Sequence, residues 1–320
     1  MRWLPMLLLL YPACFSIDDL PDGGVDQMPI SDLPPCAAGQ VCAQPITASP
    51  LHGIWAASAS ESWAVGEAGT ILHYVAGAWA SVQSPATETL YAVWGSGASD
   101  VWTVGSQGRI LHWDGMAWSN LPSPSSSDLR SIYGASKTDV WAVGDAPLLG
   151  ASGTLLHFTG AGWQQITSGL PQGSLSAVYA GAGQVFLAGD SGLLLHQQGT
   201  SWISVNTPTS ADFKSVWAVN ASGALASGTH GALVYFDGTT AHDLSIGTNS
   251  LLGLTANPAQ QGGLLVVGGS DVLRIAPPWS STSQLTSASG ATLAAATTAG
   301  QNVWLAGSRG GAGYLGYVTP

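Results

Sequence analysis

One unit recurs seven times along the chain, and a recurrence of this length restricts the possible folds more than any other feature. The unit restarts at Leu51, Leu90, Leu129, Leu175, Phe213, Leu251 and Leu293, at intervals of 39, 39, 46, 38, 38 and 42 residues. Its second copy reads LYAVWGSGASDVWTVGSQGRILHWDGMAW. The copy divides into four short runs rich in β-branched and aromatic residues, LYAVWG, DVWTVG, GRILHW and AWSNLP, here termed strands a to d, with Gly, Ser and Asp between them. A period near 40 with four strands per unit is that of propeller blades, and no segment sustains a helical period. The expected fold is all-β, a seven-bladed β-propeller of four-stranded antiparallel blades.

The punctuation between strands agrees with this division. Gly66-x-x-Gly69, Gly105-x-x-Gly108, Gly189-x-x-Gly192 and Gly228-x-x-Gly231 separate strands b and c. They predict hairpins whose bracketing glycines take positive φ without strain. Asp114-Gly115 and Asp237-Gly238 supply a favoured turn between strands c and d. The seventh unit stops after strand c, whereas VCAQPITASP, Val41 to Pro50, stands immediately before the first strand a. This N-terminal segment is expected to pair beside Tyr314 and Leu315 and close the ring, which removes a long exposed edge.

VWTVG…GRILHWDGMAW in the second unit and VWAVG…GTLLHFTGAGW in the third resemble the BNR or Asp-box type of propeller repeat. The similarity is to the variety found in photosystem II assembly factors and in exported bacterial propellers, and it is strongest in the first four units. The full Asp-box has an extra residue between Asp and Gly. Here the two are contiguous, which loosens the link to sialidase-like members. The resemblance implies a binding or scaffold propeller, or alternatively a glycoside hydrolase or lyase of the sialidase-like type.

Three segments follow from the N-terminal composition. MRWLPMLLLLYPA, residues 1–13, has one early cation and a short apolar run, the outline of a bacterial signal peptide. Cys14 follows at the place where lipoprotein signals, which this segment resembles, become lipidated; the alternative is ordinary secretion. Residues 14–40 are rich in Asp, Pro and Gly and read as a flexible tether, and 41–320 as the propeller. Cys36 and Cys42 are the remaining cysteines, and an isolated pair in an oxidising compartment is expected to close a small disulfide loop. The expected localisation is the outer membrane, periplasm or cell surface as a lipoprotein, with membrane contact only through the lipid.

Charge narrows the function. Only 8% of residues are Asp, Glu, Lys or Arg, with 7 cations against 18 acids and a net charge of −11. No basic stripe is available for a phosphate backbone, so nucleic acid is not an expected partner. The glutamates Glu61, Glu67 and Glu88 all fall in the first unit, so no acid and base can be distributed around a central pocket. No catalytic residue, cofactor or metal is expected, and the partner of what reads as a monomer is an envelope protein or a glycan.

His73, His112, His157 and His196 share one register in strand c, far from the axis, which suits packing or hydrogen bonding better than a shared metal. Asp100, Asp139, Asp145 and Asp190 fall at strand edges and turns, where capping of backbone amides is expected. Trp63, Trp102, Trp141 and Trp304 in strand b read as bulk between sheets. Trp55, Trp94 and Trp217 in strand a lie nearer the axis and are the better sugar-stacking candidates. The third unit inserts six residues between strands b and c, giving GDAPLLGASG from Gly144 to Gly153. Its Asp145, Ala146, Pro147, Leu148 and Leu149 form the candidate binding loop, because loops on a rigid scaffold commonly carry recognition.

Overall fold

The computed structural model describes residues 42–318, except 76, 182, 258, 259, 261, 280, 281 and 289. Strand β1 (Cys42–Thr47) precedes seven repeats. Blade 1 holds β2 (Leu51–Ser58), β3 (Glu61–Gly66), β4 (Ile71–Val75) and β5 (Ala78–Ser81). Blade 2 holds β6 (Leu90–Gly97), β7 (Asp100–Gly105), β8 (Ile110–Trp113) and β9 (Trp118–Asn120). Blade 3 holds β10 (Leu129–Ser136), β11 (Asp139–Gly144), β12 (Thr154–Phe158) and β13 (Trp163–Gln165). Blade 4 holds β14 (Leu175–Gly181), β15 (Gln184–Gly189), β16 (Leu194–Gln198) and β17 (Ser201–Ser204). Blade 5 holds β18 (Phe213–Ala218), β19 (Ala224–Gly228), β20 (Leu233–Phe236) and β21 (Ala241–Asp243). Blade 6 holds β22 (Gly253–Ala256), β23 (Leu264–Gly268), β24 (Asp271–Ile275) and β25 (Thr282–Ser287). Blade 7 holds β26 (Thr292–Ala299), β27 (Asn302–Arg309) and β28 (Ala312–Val318), and its outer strand is β1. The fold is a seven-bladed β-propeller of four-stranded antiparallel sheets.

Closure has the expected register. Gln44 pairs with Leu315 and Pro45 with Tyr314. Pro45 has no N–H to donate, which a strand with only one partner tolerates.

Packing between blades explains the aromatic repeat. Trp63, Trp102, Trp141 and Trp304 are at most 4% exposed. Each meets, edge on, the tryptophan of the following blade's outer strand: Trp118, Trp163, Trp202 and Trp79, with interplanar angles of 80° to 86°. Edge-to-face contact matches the positive ring edge to the negative face. The outer-strand tryptophans are therefore wedges between blades.

The glycine pairs act differently from expectation. Gly66, Gly105, Gly189 and Gly228 are extended, with φ from −159° to −168°. Their requirement is close approach: a Cβ on Gly105 would lie 2.2 Å from the Thr89 carbonyl oxygen, and on Gly66 2.2 Å from that of Pro50. Positive φ falls instead on the residue before the second glycine and on that glycine, as at Gln107 (58°) and Gly108 (70°). Two consecutive positive φ values with an Arg109 N–H to Ser106 C=O bond of 3.1 Å make a type I′ turn.

Candidate binding face and channel

Alternating strand direction places the b–c turns and d–a links on one face of the ring. The blade 3 insertion rises there between β11 and β12. Its root is pinned. Arg130, the second residue of β10, donates to both carboxylate oxygens of Asp145, Nε to Oδ1 at 2.9 Å and Nη2 to Oδ2 at 2.5 Å. The Asp145 N–H donates to the Asp128 carbonyl at 2.9 Å, and the Ala146 N–H to Ser174 Oγ at 3.2 Å. The far limb is tied to the next link, with Ser152 Oγ donating to the Leu170 carbonyl and the Gly173 N–H to that of Ala151. Between these anchors Leu148 is 71% exposed and Leu149 fully so.

The loop root continues into the channel mouth. Arg130 lies 4.4 Å from the centre of the Tyr91 ring, Tyr91 donates its hydroxyl to Asp128, and His52 rests against Tyr91 at 5.7 Å. Burial lowers the His52 pKa; Arg130 lowers it further, while Glu67, at 3.7 Å, opposes the shift. Lys214 pairs with Asp212 at 3.5 Å and Arg109 with Glu88. The cations of this face therefore have carboxylate partners close by.

Strands a of all seven blades line a central cavity of ≈ 260 Å³. The fifth residue from each repeat start is Trp55, Trp94, Tyr133, Tyr179 and Trp217 in blades 1 to 5, then Thr255 and Thr297 in blades 6 and 7; all but Tyr179 line the cavity, where blade 4 presents Ala177 and Val178. Trp55 and Trp94 lean onto the neighbouring blade, where a Cβ on Gly95 or Gly134 would come within 2.7 or 2.5 Å of their rings. Tyr133 stacks on Tyr179 at 4.9 Å, and both contact Trp217, at 6.1 and 5.3 Å. The expected tryptophans thus lie at the axis. Tyr133 joins them in the lining and Tyr179 supports it by packing against Tyr133 and Trp217, and the shared register of the repeat was the signal that would have identified both.

The strand-c histidines turn inward to their own blades. His73, His112, His157 and His196 present Nε2 to Glu61, Asp100, Asp139 and Gln184 at 3.1, 2.6, 2.8 and 2.5 Å. His73 and His157 also lie flat on Trp63 and Trp141, with ring centres 3.8 and 3.7 Å apart. The capping expectation holds for Asp190, which accepts from the Ser174 N–H. It fails for Asp100 and Asp139, which accept from both the histidine and the indole N–H of Trp102 or Trp141, and for Asp145, which pairs with Arg130. Pairing of strands b and c sets His112 opposite Trp102 and His157 opposite Trp141, beside Asp100 and Asp139. Among the described residues, no group of three or more His, Cys, Asp or Glu side chains is arranged to hold a metal. Cys14 and Cys36 lie outside the described residues, and Cys42 is placed in β1 by its backbone.

No family model matches the chain, and no curated protein matches it. Solved structures do. YCF48 bound to a D1 peptide is 15% identical with a TM-score of 0.67, covering 93% of this chain and all of that one. YCF48 from Cyanidioschyzon merolae is 17% identical with a TM-score of 0.66, over 88% of this chain and 99% of that one. A catalytically inactive virginiamycin B lyase from Staphylococcus aureus, with quinupristin, is 13% identical with a TM-score of 0.73, over 88% of this chain and 100% of that one. These likenesses show the fold, a propeller compatible with binding or scaffolding and used also by a lyase.

Proposed function

We propose that the chain is a non-catalytic binding propeller that recognises a protein partner through the blade 3 loop. The observation that carries this reading is Leu148–Leu149, two fully or largely exposed leucines on a loop whose root is fixed by Arg130–Asp145 and by Ser152–Leu170. A preorganised apolar tip can enter a partner's pocket with little loss of loop entropy. The peptide bound by the similarly folded YCF48 supports a polypeptide partner. Against catalysis stands the pairing of Glu61, Glu67 and Glu88 with His73, His52 and Arg109. The repeats are read as relatives of the BNR type. The proposal extends to export, lipid attachment at Cys14, a Cys36–Cys42 disulfide and a place at the cell envelope.

Affinity capture from envelope extracts, with the wild type and with Leu148→Ser/Leu149→Ser, tests the reading. A discrete polypeptide retained by the first and lost by the second supports it. Equal retention overturns the loop's role. For the anchor, the mature chain should partition into detergent and carry a lipid-sized mass increment that Cys14→Ala removes.

A further inference from the structure

The aromatic side chains of strands a gather on one side of the channel and are missing from the other. Blades 1 to 5 supply a ring at the fifth position, while blades 6 and 7 supply Thr255 and Thr297. Trp217, at one end of the arc, packs toward the apolar cluster of blade 6, and Trp55, at the other end, lies on blade 2. The space in front of blades 6 and 7 is therefore bordered by the Trp217 indole and floored by hydroxyls, while the Trp55 ring turns the other way, onto blade 2.

Those hydroxyls are ordered. Thr298 Oγ1 donates its one proton to the Ala256 carbonyl at 2.7 Å, so the 3.1 Å contact with Thr255 Oγ1 must be donated by Thr255. Thr255 Oγ1 is left as an acceptor. Among the described residues, the indole N–H groups of Trp55 and Trp217 and the Thr297 hydroxyl have no hydrogen-bond partner. No carboxylate lines the cavity, and its one cation, Lys214, is paired with Asp212. A cationic ligand would gain ring contacts and no counter-charge. A purely apolar one would leave the Trp217 indole N–H and the threonine oxygens unmatched.

We propose that the channel in front of blades 6 and 7 is a binding site for a neutral pyranose, as a free sugar or as the end residue of a glycan. A pyranose has apolar C–H faces that suit the Trp217 indole and a belt of hydroxyls that can donate to Thr255 and accept from Thr297 and the Trp217 N–H. The site is distinct from the blade 3 loop and does not depend on that loop's partner.

The test uses the full chain with glucose, galactose, mannose and N-acetylglucosamine as probes, followed by indole fluorescence and by saturation transfer from aromatic protons to sugar ring protons. The expected result is saturable binding of at least one sugar. It should weaken about tenfold in Thr297→Val, which removes a hydroxyl and keeps the shape, with an unchanged melting temperature. Trp217→Leu should abolish the fluorescence response, while Leu148→Ser/Leu149→Ser should leave it unchanged. Absence of saturable binding by all four sugars at high millimolar concentration overturns the proposal. So does binding that is indifferent to both Thr297→Val and Trp217→Leu.

Discussion

Asp100 illustrates how one carboxylate can organise a blade. It accepts from His112 Nε2 at 2.6 Å, from the Trp102 indole at 3.1 Å and from the Ser96 hydroxyl, and His112 lies against the Trp102 ring at 4.1 Å. Asp100→Ala leaves three donors without this acceptor, one of them on a tryptophan that is 2% exposed. It should cost about 2–3 kcal/mol. His112→Ala removes one donor while Asp100 keeps two, and should cost about 1–2 kcal/mol. Urea unfolding midpoints at constant m-value measure the difference, and equal costs would contradict the asymmetry. Two other histidines make stability depend on pH. Burial holds the pKa of His52 and of His196 below the ordinary imidazole value. The folded chain then binds fewer protons than the unfolded one, so stability rises with pH. Their contribution is complete above the unfolded value of about 6.5 and is lost as pH falls through the depressed folded values. His196→Gln should flatten this slope between about pH 7 and 5, measured as melting temperature against pH.

At the scale of the element, the same contact recurs in every blade. A glycine at or near the end of each strand b faces the carbonyl just before the first residue of its repeat: Gly66, Gly105, Gly144, Gly189, Gly228, Gly268 and Gly307 would each place a Cβ 2.0 to 2.2 Å from that oxygen. In blades 1 to 5 the next residue's N–H bonds to that carbonyl, as Ser106 does to Thr89 at 2.9 Å. A side chain here would push the two chains apart and break the bond. Gly105→Ala should therefore cost about 3 kcal/mol or more, whereas Gly97→Ala, with nothing within 4 Å and ordinary φ, should be neutral or stabilising by about 0.5 kcal/mol. Differential scanning calorimetry of the two variants decides it. The strand order and the blade boundaries were legible in the sequence because each strand's pattern is local and repeated. The role of these glycines was not, because it depends on a carbonyl that lies a whole hairpin earlier in the chain. The engagement of Asp100 and Asp139 was hidden for the same reason, since their histidine partners arrive from the next strand. The channel arc was half legible: tryptophan drew attention, while Tyr133 and Tyr179 needed the register of the whole repeat.

At the scale of the whole molecule, the ring is held shut by β1. Blade 7 takes three strands from the C-terminal end and its fourth from residues 42–47, so the two ends of the chain meet in one sheet. Removal of β1 would leave the β28 backbone from Gly313 to Tyr317 without its partner, with Tyr314 and Leu315 in the buried clusters on either side. An unpaired edge of that length is a template for another chain. Pro45 gives β1 the opposite character, because its missing N–H makes the strand suited to end a sheet and poor at extending it. A chain beginning at Ala48 should therefore melt roughly 5–10 °C lower and associate as its concentration rises, seen by sedimentation. A synthetic peptide of residues 42–49, with Cys42 replaced by Ser, should reverse the association and restore the melting temperature by pairing with β28 in trans. A scrambled peptide should restore neither. If the shortened chain does not associate and melts unchanged, closure by β1 contributes nothing to stability, and the ring is held by the packing between blades alone.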